Sequence, residues 1–333
     1  MVESQLAIIE KRLTGIPKGK LLIQNHSPEN SEIPFLSEQF ASCSDGKGLV
    51  ESYSVFPGIS LVHNFYHANH YGFHHAPLSS VMQINHCRYG RVGWEMHDGL
   101  NIYLGPGDLS LHMMDACAES AMSLPLGYYE GIAISVDFDI FERQTPAILR
   151  DAGLDGIQLY QKFCNQGKHT AMPASAQIDH IFSELYTLPP HMQIPYFKLK
   201  VQELLLFLSM MDPEKELDQY FSEQVEIIKA IHAQLTQHLD RRYTITELSK
   251  QHLINTSSLK AIFKSVYGAS IASYMKEYRM RQAARLLRDT KDTMAEIAEQ
   301  TGYESQSKFT AAFKDIFQMP PTAYRKQHQN KAL

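Results

Sequence analysis

A chain of 333 residues is too long for one ordinary core and predicts two or three domains of roughly 100–200 residues each. Its 44% apolar content, with no low-complexity tract, excludes a disordered chain. No apolar run approaches the roughly 18–20 residues of a membrane helix, and Met1-Val2-Glu3-Ser4-Gln5 does not open a secretion signal, so a cytoplasmic protein without a membrane partner is expected. The net charge of −5 is unevenly spread: 17 Lys and Arg stand against 11 Asp and Glu from residue 221 onward, and 14 against 25 before it. An acidic body joined to a basic segment is the asymmetry of a chain in which one domain meets phosphate.

Residues 3–13 predict a short amphipathic helix with Leu6, Ile9 and Leu13 on one side, followed by a polar lead-in to residue 48. From Val50 to Phe138, short runs rich in Val, Ile, Tyr and Phe are punctuated by Pro57-Gly58, Tyr71-Gly72, Tyr89-Gly90, Asp98-Gly99 and Gly105-Pro106-Gly107-Asp108. That pattern predicts a small β-barrel or sandwich over 49–139. The chain turns helical over 140–211. Within 196–211, Phe197, Val201, Leu204, Leu208 and Met211 repeat at spacings of four and three, a coiled-coil-like seam that predicts a dimerisation helix and a homodimer. The charged stretch 212–222 is the expected linker.

Seven histidines, His63, His67, His70, His74, His75, His86 and His97, crowd 35 positions. Asn69 and Gly72 argue for a loop there rather than a helix. Neutral imidazoles suit a metal or an iron chelate, and equally serve as polar loop residues. Trp94 and nearby aromatics either line a cavity or fill a core. The four cysteines, Cys43, Cys87, Cys117 and Cys164, are scattered, which suits buried thiols in a reducing compartment better than a disulfide framework or a zinc site.

The basic segment 223–333 carries the sharper signals. Thr244-Ile245-Thr246-Glu247 is a capping box, with Ile245, Leu248 and Leu253 as its apolar face. Asn255 caps a second helix in which Leu259, Ile262, Phe263 and Val266 face inward and Ser257, Lys260, Ala261 and Lys264 face outward, ending at Gly268. The arrangement recurs: Thr293-Met294-Ala295-Glu296 is a second capping box, Gly302 makes a turn, and Ser305 caps a helix through Phe317. On that helix Phe309 and Phe313 face inward, and Gln306, Ser307, Lys308, Thr310, Ala311 and Lys314 outward. Thr244 and Thr293 are 49 residues apart, Asn255 and Ser305 are 50 apart. Between the copies, 271–287 predicts a connecting helix of roughly 25 Å at about 1.5 Å per residue, able to hold two reading helices near the ~34 Å separation of successive major-groove faces.

Residues 225–326 strongly resemble the C-terminal domain of AraC/XylS-family transcription regulators. The signature here is Leu248-Ser249, Leu259, Phe263-Lys264, Gly268-Ala269-Ser270, Tyr274, Arg279, Ala283, Leu286-Leu287, Ile297-Ala298, Gly302-Tyr303, Ser307, Phe309, Phe313-Lys314, Pro321 and Tyr324-Arg325. The stretch from Gly268 to Arg279 is most similar to the pyochelin-regulator branch. Leu253 and Gln318 depart from the pattern by standing where the family often has glycine; a left-handed backbone there costs a non-glycine residue about 1–2 kcal/mol.

The resemblance implies that Ser257, Lys260, Ala261, Gln306, Ser307, Lys308, Thr310 and Ala311 face the groove. Gln306 suits bidentate contact with adenine and Lys260 contact with guanine, each worth about 1–3 kcal/mol of discrimination, while Lys264, Lys276, Lys308 and Lys314 suit phosphate and Arg279 an internal bond. Residues 83–91, 103–109 and 128–132 resemble the cupin-like sensor half of the same family, which implies a small-molecule effector in the barrel, with His63, His67, His86, Arg88 and Trp94 as candidate contacts.

The expected architecture is α+β in two domains: a cupin-like barrel with a helical extension, and an all-α domain with two helix-turn-helix units. The expected function is that of a ligand-responsive regulator, an activator rather than a repressor, partnering double-stranded DNA and RNA polymerase, with no catalytic residues, cofactor or metal. The competing expectation is a cupin-type metal-dependent enzyme, or a metal or iron-chelate sensor, with a DNA-binding appendage. Metal-dependent cupin enzymes commonly carry a His-x-His pair, which this chain lacks, and no Ser/His/Asp, phosphate-loop or dinucleotide-binding pattern replaces it.

Overall fold

The computed structural model describes residues 2–27, 45–72, 77–117, 121–212 and 215–329; Cys43, His74, His75, Pro213 and Glu214 lie outside them. The chain divides into two compact units, Met1–Ser222 and Glu223–Leu333, each described by itself.

The first unit opens with helix α1 (Val2–Arg12), then runs through β1 (Leu21–Asn25), β2 (Lys47–Phe56), β3 (Ile59–His67), β4 (His70–Gly72), β5 (Val81–Gly90), β6 (Val92–Glu95), β7 (Leu100–Leu104), β8 (Leu109–Met113), β9 (Ala121–Ser123) and β10 (Tyr129–Asp137). Helices α2 (Phe138–Arg143), α3 (Ala147–Asp151) and α4 (Gly156–Phe163), strand β11 (Thr170–Met172), helices α5 (Ala176–Phe182) and α6 (Gln193–Met210), and strand β12 (Tyr220–Phe221) follow. The strands pair as a seven-stranded sheet, β1-β2-β3-β10-β5-β8-β11, and a five-stranded sheet, β12-β7-β6-β9-β4. Side chains of a strand alternate between faces, and the larger sheet uses both. Leu61, Ile84, Ile132 and Ile134 face a core shared with α2 to α6. Val62, Cys87 and Ala133 face a second core with Val92, Trp94, Ile102, Leu104 and Met122 of the smaller sheet. The described strands thus form two separate sheets and not the closed barrel expected.

Three sequence expectations change. The seam Phe197, Val201, Leu204, Leu208 is buried in the unit's own core, and Met211 packs against it. A helix buried against its own sheet repeats at the same spacing as one that meets a second subunit, so the period alone did not mark a dimerisation surface. The outward apolar side chains of α6 are instead Leu199, 59% exposed, and Met210, 77% exposed. The expected linker 212–222 is in part structured: Leu217 N–H donates to the Ala171 carbonyl, and β12 pairs with β7. Of the described histidines, His63 and His67 lie on strand β3, His70 on β4 and His86 on β5, where a loop was expected, while Asn69 does lie in a bend and His97 in a turn.

The second unit is helical: α7 (Ser222–Gln237), α8 (Ile245–Gln251), α9 (Thr256–Tyr267), α10 (Ile271–Asp289), α11 (Met294–Gln300), α12 (Gln306–Phe317) and α13 (Pro321–Gln329). Its first half is buried around Val225, Ile228 and Ile231 of α7 with Leu248, Leu259, Ile262 and Phe263 of α8 and α9, and is closed by His232 stacked on Tyr267 with ring centroids 4.3 Å apart. Its second half packs Met280, Ala283, Ala284 and Leu287 of α10 against Ile297, Phe309, Phe313 and Tyr324. No described helix is long and apolar enough to cross a membrane.

Candidate nucleic-acid interface

Each half of the helical unit starts from a reciprocal cap. Thr244 Oγ1 accepts from Glu247 N–H, and the Glu247 carboxylate accepts from Thr244 N–H at 2.7 Å; Thr293 and Glu296 repeat both bonds. Such a box satisfies donors that a helix start otherwise leaves open. The outer helices are capped by single side chains, Asn255 accepting from Ser258 N–H and Ser305 from Lys308 N–H. Between α8 and α9 the turn passes through Leu253 at φ 52°, and between α11 and α12 through Gly302 at φ 74°. α9 stops at Gly268, φ 80°, and α12 at Gln318, φ 56°. Both non-glycine positions flagged in the sequence therefore take the left-handed backbone.

One loop joins the two halves. Arg279 of α10, buried at 8% exposure, donates from Nη2 to the Arg241 carbonyl at 2.9 Å, the internal role expected of it. Arg242 Nε donates to the Gly302 carbonyl at 3.0 Å, with its guanidinium over the Tyr303 ring. A Cβ on Gly302 would stand 2.2 Å from the Leu239 carbonyl oxygen. The segment 239–242, which leads into the first helix pair, is thereby fastened to the connecting helix and to the turn of the second pair.

On the outer faces, Ser257, Lys260, Ala261 and Lys264 of α9 are exposed together, as are Gln306, Ser307, Lys308, Ala311 and Lys314 of α12; Thr310 is half-buried. Two of the lysines assigned to phosphate are already paired. Lys276 Nζ lies 2.6 Å from Asp315 and Lys308 Nζ 2.6 Å from Glu304. Glu304, Asp315 and Arg242 were not among the sequence candidates. The i,i+4 spacing of Glu304 and Lys308 was a readable signal; the bonds of Arg242 and Asp315 cross 60 and 39 residues and leave none.

The candidate effector residues are divided by the larger sheet. His63, His86 and Arg88 share the face that carries α5 and α6, and Glu130 of β10, which the sequence candidates omitted, joins them. His63 Nε2 lies 3.1 Å from Glu130 Oε1, and Arg88 Nη1 donates to the same oxygen at 2.9 Å. His86 Nδ1 lies 2.7 Å from the Tyr186 hydroxyl, and its ring stacks on Phe182 at 4.1 Å. Arg88 also covers the Tyr186 ring. Glu130 Oε2 and His86 Nε2 are buried without a hydrogen-bond partner. His67 stands apart, bonded through Nδ1 to Glu10 of α1, and Trp94 lies in the core between the sheets. Among the described residues no group of three or more His, Cys, Asp or Glu side chains is placed to hold a metal ion.

Burial is the largest influence on the Glu130 carboxyl and opposes its ionisation, but His63 and Arg88 together outweigh it and hold the carboxyl below its ordinary value. Burial pushes His63 down despite Glu130. Burial, with Arg88 adding, pushes His86 down to about 3.

Two predictions follow from these geometries. Gly302→Ala adds a left-handed alanine and a backbone clash, so it is expected to cost at least about 2 kcal/mol, whereas Leu253→Gly relieves strain at an exposed turn and is expected to gain up to about 1 kcal/mol. Urea unfolding of the full chain, followed by circular dichroism, measures both; changes of opposite sign at the two turns are required. For His86, the unfolded imidazole titrates near ~6.5 and binds a proton between there and about 3 that the folded chain does not. Its stabilising contribution is therefore full above the unfolded value and is lost as pH falls, by roughly 1–2 kcal/mol on reaching pH 5. His86→Asn should flatten the stability–pH curve over that interval, and an unchanged slope contradicts the assignment.

A helix-turn-helix domain family model matches residues 248–327. The chain is similar to the HTH-type transcriptional activator RhaR of Mannheimia succiniciproducens, 31% identical over 104 residues that cover 31% of this chain and 38% of that protein. It is similar to a Streptomyces lividans protein described as an AraC-like transcription regulator, 38% identical over 86 residues covering 26% and 28%. The chain thus spans about a third of the length of these two relatives. It is also similar to the Transposon Tn10 TetD protein of Escherichia coli, 33% identical over 100 residues that cover 30% of this chain and 72% of that protein. With the double helix-turn-helix formed as its signature residues require, and with a relative matched over most of its own length, the chain belongs to the AraC/XylS family of transcription regulators.

Proposed function

We propose that this DNA-binding regulator reads two successive major-groove faces with α9 and α12 and answers to a small molecule received by its N-terminal unit. The observation that carries the DNA reading is the repetition itself: two capped helix pairs, offset by 49 residues at their first caps, each present a polar outer face within one compact unit. A groove about 12 Å wide admits one such helix, and base edges there distinguish all four pairs. Ser257, Lys260 and Ala261 in the first helix and Gln306, Ser307, Thr310 and Ala311 in the second supply groove contacts in this reading, with Lys264 and Lys314 on phosphate.

For the N-terminal unit, the support is the buried pair of unsatisfied atoms, Glu130 Oε2 and His86 Nε2. Unpartnered buried polar atoms cost about 1–3 kcal/mol each, and a ligand that satisfies them recovers that energy. Of the five effector candidates, His63, His86 and Arg88 belong to this site. The ligand acts by binding unequally to DNA-competent and DNA-incompetent forms. Activation through RNA polymerase, action in the cytoplasm and a homodimeric form complete the proposal. For the dimer, Leu199 and Met210 of α6 are the outward apolar side chains that support it, in place of the buried seam.

Gln306→Ala is expected to weaken binding to a selected site by roughly 1–3 kcal/mol while leaving affinity for random duplex nearly unchanged; equal losses on both in a titration contradict the reading role. A thermal-shift screen with small metabolites and iron chelates tests the effector reading. A ligand is expected to raise the melting temperature of the wild-type chain by mass action and to lose most of that shift against Glu130→Gln. A shift of full size in the variant places the ligand elsewhere.

A further inference from the structure

We infer that Glu304 and Lys308 act together as one recognition element for a G·C base pair, with Glu304 as a specificity-determining residue. The inference rests on the proposed entry of α12 into the major groove and names a base pair that this helix reads.

Glu304 immediately precedes the Ser305 cap, and Lys308 lies one turn into α12. Their side chains are 77% and 67% exposed and joined at 2.6 Å, on the end of the helix that also carries exposed Gln306 and Ser307. One carboxylate oxygen, Oε2, accepts from the lysine, and the carboxylate keeps further lone pairs; the ammonium carries three protons, of which that bond uses one. The pair therefore offers an acceptor and a donor side by side. In the major groove, guanine presents two acceptors, N7 and O6, and cytosine presents one donor, the N4 amino group. Lysine to guanine and glutamate to the cytosine amino group meet both halves of a single G·C pair at once. An A·T pair offers the carboxylate adenine N6 and the ammonium N7 or O4 on either side of it, but it sets the thymine methyl beside the charged groups. Guanine gives the ammonium two adjacent acceptors and leaves the cytosine amino group to the carboxylate, so G·C is the better match.

The charge balance agrees with this assignment. A lone carboxylate on a helix that enters the groove would oppose binding to a duplex lined with phosphates, whereas the paired carboxylate adds no net charge. A lysine committed to a glutamate also contributes less to counterion release than a free one, since binding to phosphate releases about one ion per neutralised contact. The pair is then a device for sequence and not for bulk affinity. An exposed ion pair of this kind is worth little in the free protein, so little is lost when its hydrogen bonds are shared with a base pair.

The test is selection of bound duplexes from a randomised pool by the full chain, for wild type, Glu304→Ala, Glu304→Gln and Lys308→Ala. Wild type is expected to enrich a site with at least one strongly preferred G·C position. In Glu304→Ala that position should lose on the order of 10-fold in preference or more, with other positions unchanged and the salt dependence of binding steeper by up to about one ion as Lys308 is freed. Glu304→Gln should move the preference toward adenine, since a carboxamide matches adenine N6 and N7. An enriched site whose preferences are identical in wild type and Glu304→Ala overturns the inference, as does a loss spread evenly over all sequences. If wild type enriches no site, the DNA-reading proposal fails and carries this one with it.

Discussion

The geometry of the DNA-binding unit depends on a short loop with no helix of its own. Segment 239–242 receives the buried Arg279 guanidinium on the Arg241 carbonyl, places Arg242 on the Gly302 carbonyl, and passes so close to Gly302 that no side chain fits there. The part-buried Arg279 bond is worth about 1.5–3 kcal/mol, the exposed Arg242 bond contributes less, and with the close approach at Gly302 they oppose rotation of the second helix pair against the first. A helix pair by itself presents one reading helix. Two presented at a set phase need a fastening of this kind, since a 19-residue connecting helix fixes a distance of about 28 Å but not the rotation at its ends.

The two turns show how such a fastening is chosen. Leu253 and Gly302 are equivalent positions of the repeat, both left-handed, yet only Gly302 is pressed against backbone. Leu253, at 93% exposure, bears strain without contact, so a side chain is tolerated in the first turn and excluded from the second. The repeat has kept its geometry while its two copies carry different constraints.

The helical unit was largely legible in the sequence because its signals are local: caps three residues from their partners, apolar positions three and four apart, and a turn glycine. The N-terminal unit was legible only in its punctuation. Glu130 and His63 are 67 residues apart, and no local pattern joins a charge in one strand to an imidazole in another. Strands β11 and β12, of three and two residues, are too short to show a period. The seam of α6 was visible but ambiguous, since burial against one's own sheet and against a second copy select the same positions. Closure into a barrel depends on which edges pair, which alternation along a strand does not specify. On α12 the charge of Lys308 was visible in the sequence, and its partner Glu304, four residues earlier, was passed over.

The central claim, that one rigid unit offers two reading helices at a set phase, is tested most directly by changing that phase on the DNA. With a site selected by the full chain, insertion of 5 base pairs between its two half-boxes turns one by about half a helical turn while keeping every base contact available. The account predicts that affinity falls to that of a single half-box. Binding of the lengthened site as tight as the original would show that the two helices are not held together and would contradict the account.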